Sequence, residues 1–302
     1  MLSWTAKGAV QMPETVQIRV QRSYPGRIRA GAPVPTRSMS EEEVLDNVRW
    51  FTEGERGPRG VPSTGLVLSG VGVVSRPDSP RVLAAARLLG IRRVVLHVGG
   101  EDLESFRADP WHALVDVLVV PVQPVEVEGG LEAGARAVRS CREAGVRVAV
   151  NTVLDARAVD RLAAVARSVV RMQPDEVTFT YPFPIHGSQG AAPPPIARTV
   201  TLLGQAIRVL EAGGIQPRVK GLPACYLGEY AKCLGPSQNR WYVDADHQKD
   251  GALLFFPDVV SFHKEEVCRF CRLDDTCDGF FATYLRRSGF PPLDPLPLEG
   301  VT

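Results

Sequence analysis

The chain has 302 residues, 44% hydrophobic and 23% charged, and its 35 Lys and Arg nearly balance 34 Asp and Glu for a formal charge of +1. That length suits one large α/β domain with a small appendage, and the charge balance gives no general attraction for nucleic acid. No apolar run reaches the roughly 20 residues that span a bilayer. The N-terminal MLSWTAKGAVQMPETVQ lacks the basic, apolar and small-residue order of a secretory signal, so the cytosol is the expected compartment, where thiols stay reduced.

In chain order, residues 1–15 show no periodicity and are expected to be a flexible N-terminus. Val16–Gln21 alternates as a strand does. Ser23–Ser38 is rich in Pro, Gly and Arg and reads as a loop. Ser40, with Glu43 three residues on, forms a capping box opening a helix whose stripe is Val44, Leu45, Val48 and Phe51. Strands are then predicted at Gly65–Ser69, Arg93–Val98, Asp116–Val122, Val146–Val153, Glu176–Tyr181 and Arg218–Lys220. Helices are predicted at Pro80–Leu89, Leu131–Ala144, Ala156–Met172 and Ile196–Ala212, and several stop at glycine. Nearly continuous apolar strands between amphipathic helices imply a parallel sheet covered by helices. The expected fold is α/β: a partial (β/α)6 TIM-like barrel over residues 16–220, with a doubly wound open sheet as the competing architecture.

After Gly221 the alternation breaks down, and 221–302 reads as a cysteine-rich extension. Residues 240–258, RWYVDADHQKDGALLFFPD, suggest a β-hairpin turning at Asp250-Gly251. Five of the six cysteines lie in this extension: Cys225 and Cys233, then Cys268, Cys271 and Cys277 in a C-x2-C-x5-C pattern. Thiolates clustered at such spacing suit zinc or an iron–sulfur cluster, and these five are the candidate metal ligands. Cys141 stands alone in a helical pattern and is expected to be structural. Leu253–Phe256, Phe280, Phe281 and Tyr284 are the apolar residues expected to shield the centre.

In parallel barrels chemistry collects at the carboxyl ends of strands. Here those ends carry Arg22–Tyr24, Ser69–Ser75, His97–Glu101, Gln123, Asn151–Thr152 and Tyr181–His186. Ser69, Gly70, Gly72, Asn151 and Thr152 are the candidate cofactor-binding residues: the glycines for close backbone approach, the polar side chains for hydrogen bonds. The alternatives are a plain tight turn and a loop cap. His97 is expected in the core, His186 in a loop that reaches the pocket or solvent, and His247 and His263 at the surface beside the cysteines, with a place as fourth or fifth metal ligand as the alternative. No G-x-S-x-G, Walker loop or H-E-x-x-H motif is present, so hydrolase and nucleotidase readings have no support.

The order of motifs resembles the radical S-adenosylmethionine (radical SAM) superfamily from about Val16 to the cysteine-rich end. The likeness rests on the strand VQIRVQ, a long loop, Met39-Ser40-Glu41-Glu42-Glu43 opening a helix, the glycine motif LSGVG, and the strands VAVNTV and TFTYPFP. The C-terminal cysteines resemble the auxiliary-cluster extensions, called SPASM or twitch, of peptide-modifying members. Two departures stand beside the match. The family's C-x3-C-x2-C belongs in the loop after the first strand, and no cysteine precedes Cys141. The family's Gly-Gly-Glu is replaced by Gly70-Val71-Gly72, without the glutamate. The resemblance therefore implies a degenerate member in which reductive cleavage of S-adenosylmethionine is not carried over. Its implied role is a non-catalytic accessory protein that binds a peptide, a small molecule or a catalytic paralogue. A redox enzyme using the C-terminal cluster is the alternative. The implied cofactor is a [4Fe–4S] cluster on Cys225, Cys268, Cys271 and Cys277, with Cys233 as spare and zinc as the alternative metal.

Overall fold

The computed structural model describes residues 2–5, 8–10, 13–21, 37–53, 62–70, 72–98, 111–122, 130–182, 193–235, 240–254, 262–286 and 290–296. The elements are β1 (Leu2–Thr5), β2 (Gly8–Val10), β3 (Thr15–Arg19), α1 (Glu41–Thr52), β4 (Gly65–Ser69), α2 (Ser79–Leu88), β5 (Arg93–His97), β6 (Val117–Pro121), α3 (Gly130–Glu143), β7 (Arg147–Val153), α4 (Ala156–Val159), α5 (Leu162–Met172), β8 (Glu176–Thr180), α6 (Ile196–Ala212), β9 (Arg218–Lys220), α7 (Ala224–Leu227), β10 (Trp241–Val243), β11 (Leu253–Leu254), β12 (Phe262–His263), β13 (Phe280–Phe281) and α8 (Ala282–Leu285).

Among the described residues, nine strands form one sheet in the order β11-β10-β3-β4-β5-β6-β7-β8-β9. From β3 to β9 that order follows the chain without reversal. A doubly wound sheet reverses at a switch point; a barrel does not. The fold is the expected α/β class, a partial (β/α)6 barrel. β3 pairs in parallel with β4, β4 with β5, β5 with β6, β6 with β7, and β8 with β9. β4 is buried along its whole length, as a strand covered on both faces must be. No described helix is long and apolar enough to cross a membrane.

Two compact units divide the chain: Met12–Asn151 with Asn239–Phe255, and Met1–Gln11 with Thr152–Gln238 and Phe256–Thr302. In the first, β10 from the cysteine-rich extension pairs in parallel with β3, Val243 opposite Ile18. Nothing in the three-residue run WYV signals so distant a pairing. The predicted hairpin is present, with Trp241 opposite Leu254 and Tyr242 opposite Leu253. Its turn differs from the expected Asp250-Gly251: the reversal begins at an Asp244–His247 bridge, and Lys249–Gly251 is a single 3-10 turn. Buried Asp244 organises that reversal, accepting from the N–H groups of Asp246 at 2.9 Å and His247 at 3.0 Å, with His247 Nδ1 at 2.9 Å. The capping box at Ser40 and Glu43 forms as read.

Asn47, fully buried on α1, ties that helix to the hairpin. Its Nδ2 donates to Gln248 Oε1 at 2.9 Å, and its Oδ1 accepts from Lys249 N–H at 2.8 Å. Asn47→Leu leaves these partners unsatisfied and is expected to destabilise the protein by about 2 kcal/mol or more in urea denaturation, whereas exposed Glu42→Leu should be near neutral.

In the second unit, β1 and β2 pair antiparallel within the N-terminal stretch that lacked any sequence periodicity. The helix predicted over Ala156–Met172 is two helices, α4 and α5. Asp155 caps α4 by accepting from the N–H groups of Arg157 and Ala158, and the Arg161 carbonyl restarts the ladder by accepting from Ala164 and Val165. Val159 and Leu162, on either side of the break, are both buried.

Candidate metal centre

Cys225, Cys268, Cys271 and Cys277 line one small cavity in the second unit, partly open to solvent. Its wall also includes Pro223, Lys264, Asp274, Gly279, Leu293 and Pro295. Local structure explains the convergence. Cys268 lies in a 3-10 turn, Glu266–Phe270, capped by Cys271, whose N–H donates to the Cys268 carbonyl at 2.9 Å. Residues three apart eclipse on a 3-10 turn, so C-x2-C presents both thiols to one side. The chain then turns back, with Asp274 N–H on the Cys271 carbonyl and Cys277 N–H on the Leu273 carbonyl. Cys225 enters on the short helix α7, which starts where Pro223 ends an extended segment.

Cys277 is the most enclosed of the four, packed with Ala224 and Ala231 and flanked by Leu234, Leu273 and Leu296. Its Sγ accepts backbone N–H bonds from Ala224 at 3.4 Å and Gly279 at 3.3 Å. These bonds fix the sulfur's position on the cavity wall. Burial pushes the Cys225 thiol up to about 11, opposed by backbone hydrogen bonds at Asp294 and Tyr226, while Cys277 and Cys268 push it further up. Cys268 is also raised, first by burial, then by Cys277 and Cys271, against a backbone bond at Glu265. In both, burial is the main cause and the neighbouring thiols add to it. A segment from 290 to 296 completes the wall: Arg272 N–H donates to the Leu296 carbonyl at 3.0 Å, and the Tyr226 hydroxyl bonds the Pro291 carbonyl.

The fifth candidate, Cys233, is elsewhere: it does not line the cavity, and its Sγ accepts from Gln216 Nε2 at 3.3 Å. Burial is also the main reason its thiol is raised. Cys141 is buried in α3, and burial pushes its thiol up to about 12, as befits a packing residue. His263 is exposed, and His247 is half-buried against Asp244. Among the described residues no three His, Cys, Asp or Glu side chains converge closely enough to hold a single ion.

The expected apolar shield is met in part. Phe280, Phe281 and Tyr284 are buried, and Phe280 meets Tyr226, beside Cys225, with ring centroids 5.2 Å apart. Leu253 serves instead in the β10–β11 hairpin. Phe255 and Phe256 lie outside the described residues.

Of the strand-end candidates, Ser69 is buried and its hydroxyl donates to the Ile18 carbonyl at 3.4 Å. Gly70 has φ +131°, and a Cβ there would lie 2.7 Å from the Gln21 nitrogen, so β3 and β4 leave no room for a side chain. The Gly72 carbonyl accepts from Ser75 and Arg76, closing a turn. Arg76 holds that turn against the Met39 carbonyl at 2.8 Å, and the Asp78 carboxyl it grips is thereby held below its usual range. Asn151 lies half-buried within β7, two residues before its end, with its carbonyl accepting from Val122 N–H, and Thr152 is fully buried. His97 is half-buried at the end of β5 rather than enclosed in the core. Arg22–Tyr24, Val71, Gly99–Glu101, Gln123 and His186 lie outside the described residues, as does most of the Ser23–Ser38 loop.

No protein-family model matches the chain, and no curated protein matches its sequence. Solved structures share its fold. Streptococcus suis SuiB bound to the precursor peptide SuiA superposes with a TM-score of 0.58 at 10% identity, over 95% of this chain and 75% of that one. SuiB bound to S-adenosylmethionine gives a TM-score of 0.57 at 10% identity, over 95% and 76%. A histidine-tagged anSMEcpe with bound AdoMet gives 0.54 at 12% identity, over 94% and 90%. The likeness is one of fold and spans both the barrel and the cysteine-rich extension.

Proposed function

We propose that this chain is a cytosolic, radical SAM-like partial barrel that lacks the cluster for cleaving S-adenosylmethionine and keeps one iron–sulfur centre in its C-terminal cavity. It acts as a non-catalytic binding or accessory protein. The observation that carries this reading is the meeting of Cys225, Cys268, Cys271 and Cys277 around one cavity in a chain with no cysteine before Cys141. Iron–sulfur is preferred to zinc by the resemblance to radical SAM proteins rather than by the spacing of the thiols.

In that reading the four thiols hold a [4Fe–4S] cluster, which when bound supplies one-electron redox capacity. The protein's own contributions follow from its groups. Ala224 and Gly279 amides hold the Cys277 sulfur in place, and Leu273, Leu293 and Leu296 limit water at the site. The strand ends carrying Ser69, Gly70, Gly72 and Asn151 form the rim proposed to receive a ligand, with Thr152 supporting β7 from within. SuiB bound to a precursor peptide supports a peptide as ligand here, and a catalytic paralogue that keeps its three cysteines is the partner proposed to act on it.

The test is direct. The reconstituted chain, reduced with dithionite and incubated with S-adenosylmethionine, should form no 5′-deoxyadenosine above the protein-free control. Turnover to 5′-deoxyadenosine would overturn the non-catalytic reading.

A further inference from the structure

Lys264 is an unusual presence in a wall of thiols. Its side chain is only 9% exposed, and it lines the cavity with the four cysteines. Burying an ammonium is costly unless it is paired. Here the Nζ donates to both the carbonyl and the Oδ1 of Asp274, which sits in the Cys271–Cys277 turn. The β12–β13 ribbon delivers the residue: His263 pairs with Phe280, so Lys264 and Gly279 lie side by side at the cavity edge. A Cβ on Gly279 would come within 2.9 Å of Lys264 Cγ. The missing side chain at Gly279 therefore lets the lysine stem lie against the backbone that donates to Cys277 Sγ.

Asp274 does not cancel this charge. Its side chain is 38% exposed against 9% for Lys264, so solvent screens the carboxylate more than the ammonium. Of the pair, the ammonium is thus the less screened charge beside four groups that are anionic when they ligate metal.

We infer that Lys264 is a positioning and charge-compensating residue of the C-terminal centre, which fixes the Cys271–Cys277 turn through Asp274 and favours the reduced state of the cluster those thiols hold. This rests on the iron–sulfur reading above. One-electron reduction adds a negative charge to the centre, and Lys264 stabilises that charge; net charge and hydrogen bonding near a cluster are established levers on its potential.

The experiment compares wild type with Lys264→Met, Lys264→Arg and Asp274→Asn. Each is reconstituted anaerobically, assayed for iron, and titrated with dithionite and mediators while the charge-transfer absorbance is followed. Lys264→Met should lower the midpoint potential and Lys264→Arg should leave it near wild type. Asp274→Asn, which keeps an oxygen acceptor but removes the anion, should raise it. Potentials equal to wild type in the iron-loaded variants, or shifts of the same sign in Lys264→Met and Asp274→Asn, overturn the inference. If Lys264→Met takes up no iron, Asp274→Asn decides alone: no upward shift overturns it. A wild-type chain that binds no iron overturns instead the reading beneath.

Discussion

Cys277→Ser should empty the C-terminal centre, taking iron from about four per chain to below one. Cys277 is the most enclosed of the four cavity thiols and accepts two backbone N–H bonds. A serine hydroxyl there is a poor, hard ligand that stays protonated near neutral pH. Because metal-binding free energy is folding free energy for such a site, the holo protein should also lose stability to urea, and the apo protein much less. Cys233→Ser is the matched control, since that thiol bonds Gln216 and does not line the cavity. It should keep its full complement of iron. Loss of iron in Cys233→Ser with retention in Cys277→Ser would reverse the ligand assignment.

Gly279→Ala is expected to be the most damaging small substitution in the C-terminal unit. The residue has φ +82°, and an added Cβ would lie 2.2 Å from the His263 carbonyl oxygen and 2.9 Å from its carbon. Those are backbone atoms of the paired strand, so no side-chain rotation relieves the clash. The left-handed conformation alone costs a non-glycine residue about 1 kcal/mol, and displacing the ribbon should bring the total to roughly 3 kcal/mol or more. Gly145→Ala separates the two effects, because Gly145 has φ +75° with nothing within 4 Å of the added Cβ. It should cost only the conformational part. Urea denaturation of both variants measures the difference, and equal losses would show that the contact with His263 relaxes freely.

The barrel was legible because each βα unit carries its own signal. Gly65–Ser69 reads as a buried apolar run, α1 opens with its capping box, and glycine marks the ends of several helices. The nearness of Cys268 and Cys271 was legible for the same local reason, since C-x2-C on a 3-10 turn presents both to one side, whereas the approach of Cys225 to Cys277 comes from the tertiary fold. What sequence missed depends on contacts far apart in the chain. Trp241–Val243 joins β3 across more than two hundred residues. Cys233 falls at a spacing as suitable as that of Cys225, and only the tertiary fold turns it toward Gln216. Lys264 carries no motif, and its place beside the thiols follows from the pairing of two-residue strands. The break between α4 and α5 had one cue that could have been used: Asp155 begins a capped turn, and Asp160-Arg161 follows one turn later.

The most direct measurement is iron and acid-labile sulfide per chain after anaerobic reconstitution, with electron paramagnetic resonance of the dithionite-reduced sample. One cluster on Cys225, Cys268, Cys271 and Cys277 predicts about four irons and a single reduced-cluster signal. About eight irons would show a second cluster held without the expected cysteines, and one zinc with no iron would remove the redox centre; either result contradicts the account.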